Sequence, residues 1–312
     1  MRDLIKEIGR GNARAIAKAI SLVENNSAVA QRLMRQVFIR RKDAIVLGIT
    51  GAPGTGKSTL VDQLIGLLRA AGRKIGIIAV DPSSPFSGGA ILGDRIRMMR
   101  HSVDSEVFIR SMATRGHLGG LAKATGEAIA IFEAAGKDYV LVETVGVGQD
   151  EVEVVRLADL VVVVLTPDAG DEIQAFKAGI MEIADIFIIN KADHPGADKM
   201  ERQLQAMLDL GFGDKSKPPV VKTVATKGKG VDKLLTEVDR LMGKRDRQAQ
   251  EMRRKRLLAW MLRDITREKI DQLINRDVPE SVIMEYVDQI YHRRTDPYAV
   301  ADRLIARLKE KP

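Results

Sequence analysis

Nine consecutive residues, Gly51-Ala52-Pro53-Gly54-Thr55-Gly56-Lys57-Ser58-Thr59, have the types and spacing needed to hold phosphate. They fit G-x-x-x-x-G-K-[ST]. The glycines let backbone N–H groups turn toward phosphate oxygens, and a helix starting at the loop adds the positive end of its dipole. Lys57 is then placed to reach the β- and γ-phosphates, and the Ser58 hydroxyl to bind Mg²⁺. A second cluster, Asn190-Lys191-Ala192-Asp193, has the N-K-x-D pattern. A carboxylate at Asp193 can accept from guanine N1–H and N2–H₂ together, and adenine offers no such donor pair. With both clusters in this order, the expected ligands are GTP and GDP with Mg²⁺. Ala225-Thr226-Lys227 stands farther on, where backbone N–H groups would meet the guanine O6.

Between these clusters lie candidates for metal binding and hydrolysis. Glu143-Thr144-Val145-Gly146 occupies the place where Ras-like proteins carry D-x-x-G, with glutamate as the acid. Glu143 can hold Mg²⁺ or its water shell, and the Gly146 N–H can meet the γ-phosphate. Val147 stands where such proteins place a water-orienting glutamine, and Gln149 is close but displaced. Asp81 and Asp94 are further Mg²⁺ and switch candidates, and Arg97 is a candidate for neutralising phosphate charge in cis. Arg110 and Arg115 read as structural or interface residues. The four histidines, His101, His117, His194 and His292, are scattered without E-x-x-H or H-x-x-x-H spacing, so no transition-metal site is expected.

The elements that must position these residues can be read from apolar patterning. Strands are expected over 44–50, 75–80, 107–110, 139–142, 160–165, 186–189 and 220–224. Several are apolar throughout, as strands covered on both faces should be. Helical spacing between them, beginning with Leu60, Val61, Leu64, Leu67 and Leu68, implies right-handed βαβ crossovers. The fold class is α/β, a doubly wound and mostly parallel sheet with N- and C-terminal helical extensions. In such sheets ligands sit at the carboxyl ends of the strands, where the polar motifs fall. Residues 1–40 read as helices, 41–243 as the phosphate-binding domain and 244–312 as a helical segment too short for a generous core of its own. That segment is expected to pack on the nucleotide domain or on a second subunit.

Composition narrows the function further. The chain has 312 residues, 45% of them hydrophobic and 29% charged, which suits one large domain with additions or two domains. There is no cysteine, so disulfides, thiolate metal sites and cysteine catalysis are excluded, compatibly with the cytoplasm. No apolar run has the roughly 18 residues of a membrane span, and Met1-Arg2-Asp3-Leu4-Ile5-Lys6-Glu7 does not read as a signal peptide. The net charge of +8 is partly clustered in 244–247 and 253–256. Acids interrupt the run and no aromatic residue interleaves it, so it reads as a solvated helix face rather than a nucleic-acid surface.

Taken together, the long motifs resemble one family. The phosphate loop, Asp81-Pro82-Ser83-Ser84-Pro85-Phe86-Ser87-Gly88-Gly89-Ala90-Ile91-Leu92-Gly93-Asp94, the run Arg110-Ser111-Met112-Ala113-Thr114-Arg115-Gly116-His117-Leu118-Gly119-Gly120, Glu143-Thr144-Val145-Gly146-Val147-Gly148-Gln149 and Asn190–Asp193 look like the MeaB/ArgK GTPases, over about residues 5 to 300. The resemblance implies a homodimeric P-loop GTPase whose C-terminal helices form the dimer. It also implies a chaperone of an adenosylcobalamin-dependent acyl-CoA mutase, usually methylmalonyl-CoA mutase, gating cofactor loading and protecting the enzyme. By motif it assigns Lys57 and Ser58 to phosphate and Mg²⁺, Asp81, Asp94 and Glu143 to the metal and switch site, and Asn190, Lys191 and Asp193 to guanine. The stretch 168–177 matches a mobile third switch. Asp150 and Asp168-Ala169 depart from the family pattern and bear on partner contacts. Two other functions are weighed: a nickel-insertion GTPase, which would want Cys/His ligands, and a lysine/arginine/ornithine transport-system kinase, which would transfer phosphate to protein.

Overall fold

The computed structural model describes residues 1–25, 28–81, 99–101, 103–113, 120–144, 157–167, 183–212, 217–244 and 247–309. Each expected strand is present: β1 (Ile45–Thr50), β2 (Ile75–Asp81), β3 (Val107–Ala113), β4 (Tyr139–Thr144), β5 (Leu160–Leu165), β6 (Ile186–Ile189) and β7 (Val220–Lys222). They form one sheet in the order β3-β2-β4-β1-β5-β6-β7, with every neighbouring pair parallel. The central strands β4 and β5 are buried along their whole length, which is why β5 and residues 139–142 of β4 read as unbroken apolar runs.

Strand bounds differ from the sequence expectation by one to three residues in β1, β2, β3, β4 and β7, and the changes in β3 and β7 have tertiary reasons. β3 continues past Arg110 to Ala113 because it pairs with β2 in register from Ile75↔Val107 to Asp81↔Ala113. Long-range pairing carries the strand through polar residues that interrupt its apolar run. β7 stops at Lys222 because Val224 leaves the sheet and bridges Lys229 in an antiparallel turn. That turn needs Gly230, whose φ is +80° and where a Cβ would stand 2.2 Å from the Lys222 carbonyl oxygen.

Helix α4 (Lys57–Ala70) follows β1 and packs Leu60, Val61, Leu64, Ile65 and Leu68 against Leu47, Ile49, Ile77, Leu141 and Val162 of the sheet. Full burial of each such side chain contributes about 1.5–3 kcal/mol, so the helix that opens at the phosphate loop is firmly seated. Helix α5 (Gly120–Ala134) and the N-terminal helices α1 (Arg2–Gly9), α2 (Ala13–Glu24) and α3 (Ala28–Arg40) pack on one another. Asn12 caps α2, its Oδ1 accepting from Arg14 N at 3.0 Å and Ala15 N at 3.2 Å. The stripe Ala15, Ile16, Ala19 and Ile20 is buried as its spacing requires. Arg110 of β3 has the structural role read for it. Its guanidinium pairs with Glu24, with Nε to Oε1 at 3.1 Å, and Nη2 reaches Ser21 Oγ at 3.2 Å, tying α2 to the edge of the sheet.

At the opposite end of the sheet from the loop, α5 buries Glu133. Burial raises its pKa from 4.5 to about 7, with Asp159 and Asp43 adding to the rise and Arg41 and Arg254 opposing it. Arg41 Nη1 lies 3.8 Å from its carboxylate. Between pH 4.5 and 7 the folded chain keeps a proton that the unfolded chain has released, so stability falls as pH rises through this window and levels off above it. Glu133→Gln is expected to flatten that slope and to stabilise the chain at pH 8 by up to about 3 kcal/mol. Urea melts at pH 5 and pH 8 check this, and an unchanged slope in the variant rejects it.

By its internal contacts the chain divides into two units, Met1–Arg254 and Lys255–Pro312. The first also holds α6 (Ala197–Phe212) and α7 (Val231–Lys244). Helix α8 (Arg247–Asp277) begins in the first unit and continues into the second, which also holds α9 (Glu280–Tyr291) and α10 (Pro297–Lys309). Asp296 caps α10 through Tyr298 N and Ala299 N. Met261, Val278 and Val300 are buried, whereas Leu262, Ile270, Leu273, Met284, Val287 and Ile305 are exposed. Among the described residues no helix is long and apolar enough to cross a membrane.

Candidate nucleotide-binding site

The chain leaves β1 at Thr50 and turns through the phosphate loop into α4. Two glycines are required there by close approach. A Cβ on Gly51 would stand 2.2 Å from the Val164 carbonyl oxygen, and one on Gly56 would stand 2.4 Å from Asn190 Nδ2. Gly56 is also the left-handed N-cap of α4, with φ +87°. Ala52 and Thr55 are buried, while Pro53 and Gly54 form the exposed crest and Thr59 is half-buried in the first turn. Thr55 Oγ1 donates to the Ala52 carbonyl at 2.9 Å and stiffens the loop. Lys57 Nζ donates to the Gly51 and Ala52 carbonyls at 2.7 and 2.8 Å, which holds the buried ammonium against the loop.

Ser58 and Glu143 meet although 85 residues separate them, Ser58 Oγ donating to Glu143 Oε1 at 2.6 Å. Both are buried at the carboxyl end of the sheet, beside the N-terminus of α4. Asp81 ends β2 two strands away from β1, and its side chain lies outside the described residues, as do Asp94, Arg97, Gly146, Gln149 and the 168–177 stretch.

The base-side corner is built from the ends of β6 and β7. The family resemblance groups Asn190 with the guanine-reading residues. In the structure its amide bonds to protein on three sides. Nδ2 donates to the Thr55 carbonyl at 2.8 Å, and Oδ1 accepts from Thr223 Oγ1 at 3.0 Å and Ala225 N at 3.1 Å. One buried side chain thus joins the phosphate loop to the turn holding Ala225, Thr226 and Lys227. Lys191 takes the left-handed conformation, φ +54°, and Ala192 N donates to the Thr223 carbonyl at 3.0 Å. This turn presents Asp193, whose Oδ2 accepts from Lys227 Nζ at 2.9 Å. That hydrogen bond holds the Asp193 carboxyl below the usual carboxylate range, so it stays an acceptor at neutral pH.

Sequence reading missed Thr223, the Lys227 side chain, and Thr50 and Thr144, whose hydroxyls are hydrogen-bonded to each other at the ends of β1 and β4. For the threonines the available signal was a polar residue at the end of an otherwise apolar strand, and Lys227, in the 225–227 turn, carried no such signal. The arrangement places anion-binding backbone and a cation at one end, and a charged acceptor for a base at the other, with one amide fixing the distance between them. This is a nucleotide site of the P-loop class.

Comparison with known proteins makes the class specific. The family described as Methylmalonyl Co-A mutase-associated GTPase MeaB matches residues 16–278. A putative GTPase of Pyrococcus abyssi is 47% identical over 313 residues, covering 97% of this chain and 95% of the relative. GTPase ArgK of Escherichia coli is 35% identical over 274 residues, covering 82% and 83% of the two chains. A solved structure described as an LAO/AO transport system kinase superposes with a TM-score of 0.69 at 25% identity, covering 99% of this chain and 97% of its own. The chain belongs to the MeaB family and is a P-loop GTPase.

Proposed function

We propose that this GTPase binds GTP with Mg²⁺, hydrolyses it to GDP and phosphate, and uses the cycle as a cytoplasmic chaperone of an adenosylcobalamin-dependent acyl-CoA mutase, methylmalonyl-CoA mutase foremost. The observation that carries the nucleotide reading is the Asn190 amide, which joins the phosphate loop to the Asp193–Lys227 corner. The description of the matching family, which names that mutase, supports the partner.

The donor set fits Mg²⁺. Ser58 Oγ and Glu143 Oε1 are hard oxygen donors 2.6 Å apart at a helix N-terminus. Mg²⁺ is usually held by one or two protein groups together with water and substrate phosphate, so a cage of several acids is not required. Ser58 and Glu143 hold the ion in this reading, with Asp81 and Asp94 as further candidates. The ion supplies charge neutralisation on the β- and γ-phosphate oxygens. Lys57 adds fixed positive charge, backbone N–H groups of Gly51–Thr59 cradle the phosphates, and Arg97 adds charge in cis. Asp193 accepts from guanine, the 225–227 turn meets O6, and Gly146 and Gln149 complete the γ-phosphate and water side.

A second copy of the chain completes the assembly. The exposed apolar residues of α8 to α10 support a dimer contact within 244–312, and light scattering that finds only monomer rejects it.

Single-turnover hydrolysis with and without the purified mutase tests the chaperone role. Val147 replaces a water-orienting glutamine, so the chain alone is expected to be slow and the mutase to accelerate it, by less than the roughly 10³–10⁵-fold of an arginine finger supplied in trans. A fast rate unaffected by the mutase rejects the reading. Likeness to a solved transport system kinase keeps phosphotransfer to protein as the second reading. Radiolabelled γ-phosphate that ends on protein rather than water would favour it.

A further inference from the structure

Glu143 stands in β4 at the last rung of its pairing with β1, Ile49↔Glu143. The next residues on the two strands, Thr50 and Thr144, carry hydroxyls joined by a hydrogen bond, Thr144 Oγ1 donating to Thr50 Oγ1 at 3.0 Å. Both threonines are buried, at 2% and 0% exposure. Side chains alternate along a strand, so registered neighbours on parallel strands share a face. Leu47, Ile49 and Leu141 pack in the same core as the α4 side chains, and Glu143 reaches Ser58 of α4. Thr50 and Thr144 therefore lie on the other face of the sheet.

The end of β4 is thus held twice. On the α4 face it is held by Glu143 to Ser58, and on the opposite face by Thr144 to Thr50. The first tie is made of the two groups assigned to Mg²⁺, so it belongs to the ligand shell. The second is made of groups assigned to neither phosphate nor metal. It joins the residue before the phosphate loop to the residue after Glu143.

We propose that Thr144, through Thr50, is a positioning residue for hydrolysis: it fixes the end of β4, and with it the Glu143 carboxylate, against the start of the phosphate loop. This rests on the assignment of Glu143 to the metal site. Phosphoryl transfer depends on positioning and fixed charge, and small misplacements of a catalytic group are costly in rate. Nucleotide affinity draws mostly on the phosphate loop and the base corner, and Thr144 belongs to neither, so the effect belongs on kcat.

Valine has the shape of threonine without the hydroxyl. Thr144→Val is expected to lower single-turnover kcat about tenfold, with GDP affinity and KM for GTP within about twofold of wild type. Thr144→Ser, which keeps the hydroxyl, is expected to keep most of the rate. Pairing Thr50→Val with Thr144→Val removes both polar partners, so melting temperature should recover relative to the single variant while kcat stays low. A wild-type kcat in Thr144→Val overturns the proposal. So does recovery of kcat together with stability in the double variant, because that would mark the pair as structural only. Lys57→Ala is the control for the underlying reading. If it still hydrolyses GTP fully, the site assignment has failed. If it is inactive while Thr144→Val is normal, only the positioning role has failed.

Discussion

Lys57→Ala is expected to lower the rate of GTP hydrolysis by about 10²–10³-fold, the scale seen when one preorganised charge-stabilising donor is removed from an active site. The reason lies in where the ammonium is held. Lys57 is 6% exposed, and its Nζ sits 2.7 and 2.8 Å from the carbonyls of Gly51 and Ala52. A charge fixed there needs little reorganisation when negative charge shifts toward the leaving oxygen during phosphoryl transfer. The substitution leaves α4 seated, because Leu60, Val61, Leu64, Ile65 and Leu68 keep their contacts, so the far-ultraviolet spectrum and melting curve should remain close to wild type. Hydrolysis measured at saturating nucleotide is the deciding quantity. A variant that keeps its fold and its full rate would remove the phosphate loop from the mechanism.

Asp193→Asn is expected to cost about three orders of magnitude in GTP and GDP affinity, since a site built to hydrogen-bond particular donors rejects partners that leave its groups unpaired. Asp193 combines partial exposure with a fixed ion pair to Lys227 at 2.9 Å, so its carboxylate is both reachable and ionised. An amide at this position presents a donor to the guanine amino group where an acceptor was needed. Xanthine carries a carbonyl in place of that amino group, so the variant should gain affinity for xanthosine nucleotides. That gain separates a changed base site from a damaged fold. Calorimetry with GDP and XDP reads both arms, and unchanged GDP affinity would remove Asp193 from base recognition.

Much of the fold was legible before the structure because parallel strands covered on both faces cannot hide. β5 and β6 are continuous apolar runs, β1 and β4 are apolar until their polar carboxyl ends, and the helices between them carry the 3.6-residue stripe of a one-sided core. The phosphate loop was legible for a different reason. Its function is a backbone shape encoded within nine residues, two of which, Gly51 and Gly56, have no room for a Cβ. Edges were less legible. Arg110 and Ser111 break an apolar run, and only pairing with β2 shows that the strand continues.

What the sequence determined by itself is therefore local: the phosphate loop, the acid and amide motifs at strand ends, and the elements that carry them. Tertiary structure decided which of these groups meet, because that depends on strand order and on contacts between distant parts of the chain. Ser58 and Glu143 are 85 residues apart, Thr50 and Thr144 94, and Asn190 and Thr55 135. No periodicity or spacing rule links such pairs. The insertion of β4 between β2 and β1 brings the first two together, and the placement of β6 and β7 beyond β5 lets one amide span the phosphate and base ends of the site. The motif Asn190–Asp193 is four residues long in sequence, yet the structure divides its work: the asparagine braces the site from within, and the aspartate faces outward beside Lys227.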